Sequence, residues 1–128
     1  MSTPSATGPD FISFQVRDLD RAAAFYTDVI GLPQVPAPSP DAVVFGTGAG
    51  SAAFAVRRPF PGTDLDAATP FPGHGTGVWF HDDDPSAVHR RAVDAGATVV
   101  AEPFDGPFGT QFTVVDPDGY RVTVHGAR

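Results

Sequence analysis

Apolar and polar residues alternate over residues 11–16 (FISFQV), the two-residue period of a half-buried strand. The period then lengthens. Leu19, Ala22, Ala23, Tyr26, Val29 and Ile30 recur at helical spacing behind Asp18, an N-cap residue. Asp20 sits where an acid favours the helix dipole. Gly31 suits a left-handed C-terminal cap, and Pro33 prevents continuation. A proline-rich turn at 36–40 leads into two short strands, 42–45 and 52–56, divided by a glycine turn at 46–50.

Residues 57–75 keep no period and hold four prolines and three glycines, which reads as a linker or a lid. Beyond them the first pattern returns. Residues 78–81 (VWFH) read as a strand, Asp84 as an N-cap and Pro85 as the first helical residue. Val88, Ala92 and Ala95 form the apolar stripe, and Gly96 closes it. Residues 98–101 read as a strand. Residues 111–115 and 121–125 form a hairpin through Asp116-Pro117-Asp118-Gly119, a tetrapeptide with turn chemistry at every position. The order is βαβββ twice, with Phe14/Phe80, Asp18/Asp84 and Gly31/Gly96 in corresponding places. The expectation is one domain of two modules, 10–56 and 76–126, joined by the linker 57–75. Modules of this size are marginal alone, so they pair, within one chain or across a dimer.

Composition narrows the chemistry. The chain has 128 residues and 14 each of Gly and Pro, a total that fits strands and turns rather than a helical bundle. It has no cysteine, which removes disulfides, thiolate metal sites and Cys nucleophiles. Every one of the 8 basic residues is Arg, and the net charge is −7. That balance argues against nucleic acid and anionic membranes as partners, and the lack of Lys excludes a Schiff base. No apolar run approaches a membrane span. Residues 1–9 carry no basic region or apolar core, so the expectation is a short tail on a cytoplasmic protein.

Three stretches, FISFQVRDLDRAAAFYTDVIGL, DDPSAVHRRAVDAGATVV and DPDGYRVTV, resemble the vicinal oxygen chelate superfamily, which includes glyoxalase I, extradiol dioxygenases and bleomycin-resistance proteins. The resemblance covers residues 10–126. It implies an α+β fold in which tandem βαβββ modules form curved mixed sheets around a cleft, usually as a homodimer. It also implies four places for His, Gln or Glu ligands to a divalent metal. Here the first-strand place holds Phe11, its second-module counterpart Gly77 and the last-strand place Thr123, while residues 51–56 contain no Glu or His. Phe and Gly offer no ligand atom and Thr a weak one, so no metal and no other cofactor is expected.

Other searches return little. The four histidines, His74, His81, His89 and His125, stand at separations that match no familiar metal motif, and His89 falls on the exposed side of its helix. Asp82-Asp83-Asp84 reads as a helix cap and its neighbours. The glycines at 46, 48 and 50 precede no helix, so they form no phosphate loop. Neither a G-x-S-x-G elbow nor a pair of glutamates is present.

Strand alternation assigns the cleft. Ile12, Phe14 and Val16 are expected toward the helix, leaving Phe11, Ser13 and Gln15 toward the cleft. Trp79 and His81 take the same side in the second module, as do Arg121, Thr123 and His125 on the last strand. Gln111 and Thr113 are assigned on the strand before it, and Phe104 and Phe108 flank that strand in a loop (FDGPFG) able to close over the opening. Aromatic walls with a few neutral donors and acceptors fit a planar ligand; the alternative is that the rings fill a collapsed cleft or a dimer seam. The leading expectation is therefore a binding protein that sequesters a planar aromatic natural product or antibiotic, conferring resistance without turnover. The alternative is a lyase, isomerase or dioxygenase acting on a small carbonyl or catechol-like substrate, with His81 or His125 as general base and Arg121 as electrophile.

Overall fold

A computed structural model describes residues 3–48 and 50–126. Met1 and Ser2 of the expected tail, and Ala49 of the glycine turn, lie outside them. Among the described residues eight strands form two four-stranded sheets. The first contains β1 (Ile12–Gln15), β2 (Gln34–Val35), β3 (Ala42–Gly46) and β4 (Ala52–Arg57), in the order β1-β4-β3-β2. The second contains β5 (Val78–His81), β6 (Val99–Gly106), β7 (Gly109–Val115) and β8 (Arg121–His125), in the order β5-β8-β7-β6. In each sheet the first strand pairs parallel with the fourth, and the other pairs are antiparallel. This is the doubled α+β architecture expected from the sequence.

The helix α1 (Leu19–Ala24) is capped by Asp18, whose carboxylate accepts from the Arg21 N–H at 3.1 Å. It continues into a π-helical segment, Phe25–Ile30, rather than the uniform α-helix that periodicity implies. The Gly31 N–H donates to Tyr26 O at 3.1 Å, five residues back. The wider winding turns Phe25, Tyr26, Val29 and Ile30 all into the core. The second helix, α2 (Pro85–Asp94), starts on Asp84 and buries Val88 and Ala92.

Two expectations change. The strand expected at 98–101 runs on to Gly106, and the FDGPFG segment is a tight β6–β7 hairpin rather than a loop. Pro103 has no N–H for the ladder, and the register shifts between Ala101 and Phe104, so the strand passes it on an irregularity. His89 is also not free in solvent. Its ring meets Phe112 edge-on at 5.3 Å, and Nε2 lies 3.0 Å from Glu102.

One buried core holds residues of both modules. Phe14 of β1 stacks on Tyr120 before β8, with ring centroids 4.0 Å apart and an interplanar angle of 5°. The Tyr120 hydroxyl donates to Gln15 O at 2.8 Å. Arg91 of α2 donates from Nε to Val29 O at 3.0 Å, satisfying a carbonyl at the end of the first helix. Asp116 and Asp118 of the tetrapeptide turn are buried. Arg17 donates its backbone N–H to Asp118 Oδ1 at 2.8 Å, and the Tyr26 hydroxyl donates to Asp116 Oδ2 at 2.7 Å. The turn is a clasp between the modules. Sequence reading found the turn and missed the clasp, because its partners stand on the other module.

Candidate functional site

The helix α2 covers one face of the second sheet, whose Val78, Phe112, Val114, Val122 and Val124 are buried. Alternation sends the intervening side chains to the other face. Register then arranges them in two rows. His81 pairs with His125, His125 with Gln111, and Gln111 with Phe104. Trp79 pairs with Thr123, Thr123 with Thr113, and Thr113 with Ala101.

Rings dominate this face. Trp79 lies 5.3 Å from Phe108 and 5.6 Å from His125, each edge-on. His125 is 5.7 Å from His81 and 6.3 Å from Phe108. Trp79 and Phe108 are 45 % and 53 % exposed, so a large part of this aromatic surface is open. Polar groups lie between the rings. Thr113 and Thr123 bond each other at 2.8 Å, and His81 Nε2 stands 3.5 Å from Asp83.

Trp79 and His81 also border a cavity of about 470 Å³. Its other walls are Ile12, Ala53, Phe54, Val78 and Phe80, with residues 31–33 and 46–48. That volume is in the range small-molecule sites occupy. Ile12, expected in the core, lines this seam and is 41 % exposed.

The first sheet treats its equivalent face differently. By the repeated register Gln15 corresponds to His81, Arg57 to His125 and Ala42 to Gln111. The linker occupies this row. Gln15 Oε1 accepts from the Phe60 N–H and the Thr63 hydroxyl, both at 2.7 Å. The Arg57 guanidinium sits 3.6 Å over the Phe60 ring. Farther along, Asp66 pairs with Arg17 at 2.6 Å, and Phe71 lies 4.0 Å beneath the Arg121 guanidinium. The candidate residues therefore divide. Trp79, His81, Phe104, Phe108, Gln111, Thr113, Thr123 and His125 assemble on one face. Ser13 and Arg121 line a separate cavity of about 270 Å³ beside Pro72 and Tyr120. Gln15 holds the linker, and Phe11 is half-exposed just before β1. A third cavity, about 290 Å³, lies between the ends of the helices beside Arg21, Asp28 and Pro117, away from these residues.

The four metal places that the resemblance implies fall as follows. The repeat matches Thr123, paired with Trp79, to Ala55, paired with Ser13. The set is therefore Phe11, Ala55, Gly77 and Thr123. Ala55 is buried and bears no donor, and the Thr123 hydroxyl is bonded to Thr113. A Cβ at Gly77 would lie 3.2 Å from the indole nitrogen of Trp79, so the tryptophan fills the space a ligand side chain needs there. This donor set does not fit a divalent metal. Among the described residues no three His, Asp or Glu gather into an alternative cage. No described helix is long and apolar enough to cross a membrane.

Comparison with solved structures places this architecture among proteins of several bacteria. Lactoylglutathione lyase from Agrobacterium tumefaciens is 28% identical, with a TM-score of 0.64 over 97% of this chain and 95% of its own. TnmS3, an antibiotic binding protein from Streptomyces sp. CB03234, is 24% identical, with a TM-score of 0.70 over 96% of this chain and 98% of its own. TioX from Micromonospora sp. ML1 is 23% identical, with a TM-score of 0.65 over 91% of this chain and 96% of its own. No curated protein matches. The sequence model of one family matches residues 8–124, a span that contains both helices, the clasp between the modules and all but the last residue of the two sheets. The chain thus belongs to the glyoxalase/bleomycin resistance protein/dioxygenase superfamily.

Proposed function

We propose that this protein is a metal-free binding protein that sequesters a planar aromatic small molecule, of the kind found among natural products and antibiotics, and confers resistance by binding. One observation carries the reading. On the face where family enzymes hold a metal, this chain presents the open rings of Trp79 and Phe108 around His125, beside a cavity of about 470 Å³. Stacking of a flat ligand gains about 0.5–1.5 kcal/mol per ring beyond area burial. The likeness to an antibiotic binding protein supports the same reading. The working unit is a cytoplasmic homodimer, whose second copy would close over the open face; neither nucleic acid nor membrane is a partner.

A second reading is a metal-free lyase or isomerase for a carbonyl or catechol-like substrate. It is favoured by the two imidazoles, His81 and His125, 5.7 Å apart on the same face. The experiment that separates the two uses the single tryptophan. Titration with flat aromatic compounds is expected to quench Trp79 emission saturably, to be unaffected by chelators, and to leave the ligand chemically unchanged. Conversion of the ligand, lost in His81→Ala or His125→Ala with binding retained, would put the enzyme first. Retention of one equivalent of nickel, zinc, manganese or iron after desalting would overturn both metal-free readings.

A further inference from the structure

The two rows of the open face differ in how their polar atoms are satisfied. The Trp79 row is closed: Thr113 and Thr123 use their hydroxyls on each other. The His81 row is not. Gln111 Oε1 and His125 Nδ1 are buried from solvent, and neither has a hydrogen-bond partner among the described residues. These atoms belong to cross-strand neighbours, Gln111 on β7 and His125 on β8.

Rings shield both atoms. The Gln111 amide oxygen lies over Gly106, 2.9 Å from where a Cβ would stand, and the Phe104 ring edge closes on the same point at 3.2 Å. A Cβ at 106 would push the amide oxygen or the ring edge aside. The His125 ring is flanked by Trp79, His81 and Phe108. Phe104 and Phe108 are each about half exposed, near the tip of the β6–β7 hairpin. An unsatisfied buried polar atom costs about 1–3 kcal/mol. Two such atoms, on cross-strand neighbours beside half-exposed rings, mark a place where another molecule supplies the missing bonds.

We propose that Gln111 and His125 form the polar subsite for a hydroxyl borne directly on the ligand's aromatic ring. The inference rests on the binding-protein reading and names its ligand class: phenols and hydroxyquinones rather than bare or fully etherified ring systems. The ligand O–H donates to Gln111 Oε1, and the ligand oxygen accepts from His125 in its Nδ1–H tautomer. The rings of Trp79 and Phe108 take the flat body. A site with buried polar groups discriminates strongly against an analogue lacking the matching atom, because the mismatch leaves those groups unpaired in the complex.

Calorimetric titration with β-naphthol and its methyl ether tests this. The two probes share one ring system, and both oxygens accept, but only the naphthol donates. The expected result is binding of naphthol at least tenfold tighter than of the ether. Gln111→Met brings that ratio to near one, leaves the affinity for the ether unchanged, and raises Tm by removing an unsatisfied atom. His125→Phe weakens both probes, since either oxygen accepts from Nδ1–H; it also serves as the second variant should Gln111→Met fail to fold. Equal binding of the two probes, or discrimination that survives in Gln111→Met, overturns the subsite while leaving the aromatic binder intact. Failure of both probes to bind overturns the subsite and the binder together.

Discussion

The Tyr26 hydroxyl donates to Asp116 Oδ2 at 2.7 Å across ninety residues of sequence, with both side chains buried. The other oxygen of Asp116 accepts from the backbone N–H groups of Asp118 and Tyr120, at 2.8 and 3.0 Å. A carboxylate that reads as an ordinary turn residue thus holds the first helix to the last hairpin, and with it the first sheet to the second.

This clasp makes stability depend on pH in a defined direction. Burial pushes the Asp116 carboxyl up from its ordinary 3.8 to about 6. The bonds from Tyr26, Asp118 and Tyr120 pull it down, and the charge on Asp118 pushes it up. The folded value lies above the unfolded one, so the folded state holds the proton more tightly. The contribution is complete below about pH 3.8, declines as pH rises, and is lost above about 6. The tighter hold on that proton is worth about 3 kcal/mol. Urea unfolding of Asp116→Asn is expected to lack this slope. Tyr26→Phe is expected to cost about 1–3 kcal/mol near neutral pH. It also extends the slope upward, because the bond it removes is one that holds the carboxyl down.

Binding should follow the division between the two sheets. Trp79→Ala is expected to weaken a flat aromatic ligand by roughly tenfold or more, since it removes both stacking and buried area. Phe108→Ala should act in the same direction. Phe11→Ala is expected to change affinity little, because Phe11 stands outside the ring cluster and borders none of the three cavities. Affinities from calorimetry check the order; an equal loss at Phe11 would move the binding face to the start of β1.

The linker gives a third test. Gln15 accepts two bonds from residues 60 and 63, and these fix the start of the 57–75 segment over the first sheet. Gln15→Ala is expected to reduce stability by only about 1 kcal/mol, because the bonds are exposed. It should accelerate cleavage of the 57–75 segment by a nonspecific protease severalfold. Ligand affinity should stay within a factor of about two, because the ring cluster proposed to bind it lies on the other sheet.

Much of this architecture was legible in the sequence because it depends on local periods. The apolar positions chosen for the first helix, from Leu19 to Ile30, are all buried. Strand alternation also assigned Gln111, Thr113, Thr123 and His125 to one face, and Phe112, Val114, Val122 and Val124 between them are buried. What was not legible depends on contacts between distant segments. Nothing near Asp116 announces Tyr26, and nothing near Gln15 announces Phe60 and Thr63. The β6–β7 hairpin was hidden by its own Gly and Pro residues, which read as loop although Pro103 is passed by an irregularity. The winding of the first helix was hidden for another reason: a π-turn changes hydrogen bonding without disturbing the apolar spacing from which a helix is read.

The last prediction concerns Gly77 and Trp79, whose relationship decides whether the family metal site can be restored one residue at a time. A side chain at 77 would start 3.2 Å from the Trp79 indole nitrogen, tighter than ordinary van der Waals contact. Gly77→His is therefore expected to displace the indole, shift its emission, lower Tm and retain no nickel after desalting. The imidazole would also be a single donor facing Phe11, Ala55 and a Thr123 hydroxyl already bonded to Thr113. Trp79→Ala in the same chain should recover most of the lost Tm by vacating the space, and it should still retain no metal. A non-additive recovery of this kind is the signature of two residues competing for one volume. Additive losses would mean that the indole and the position-77 side chain do not share it.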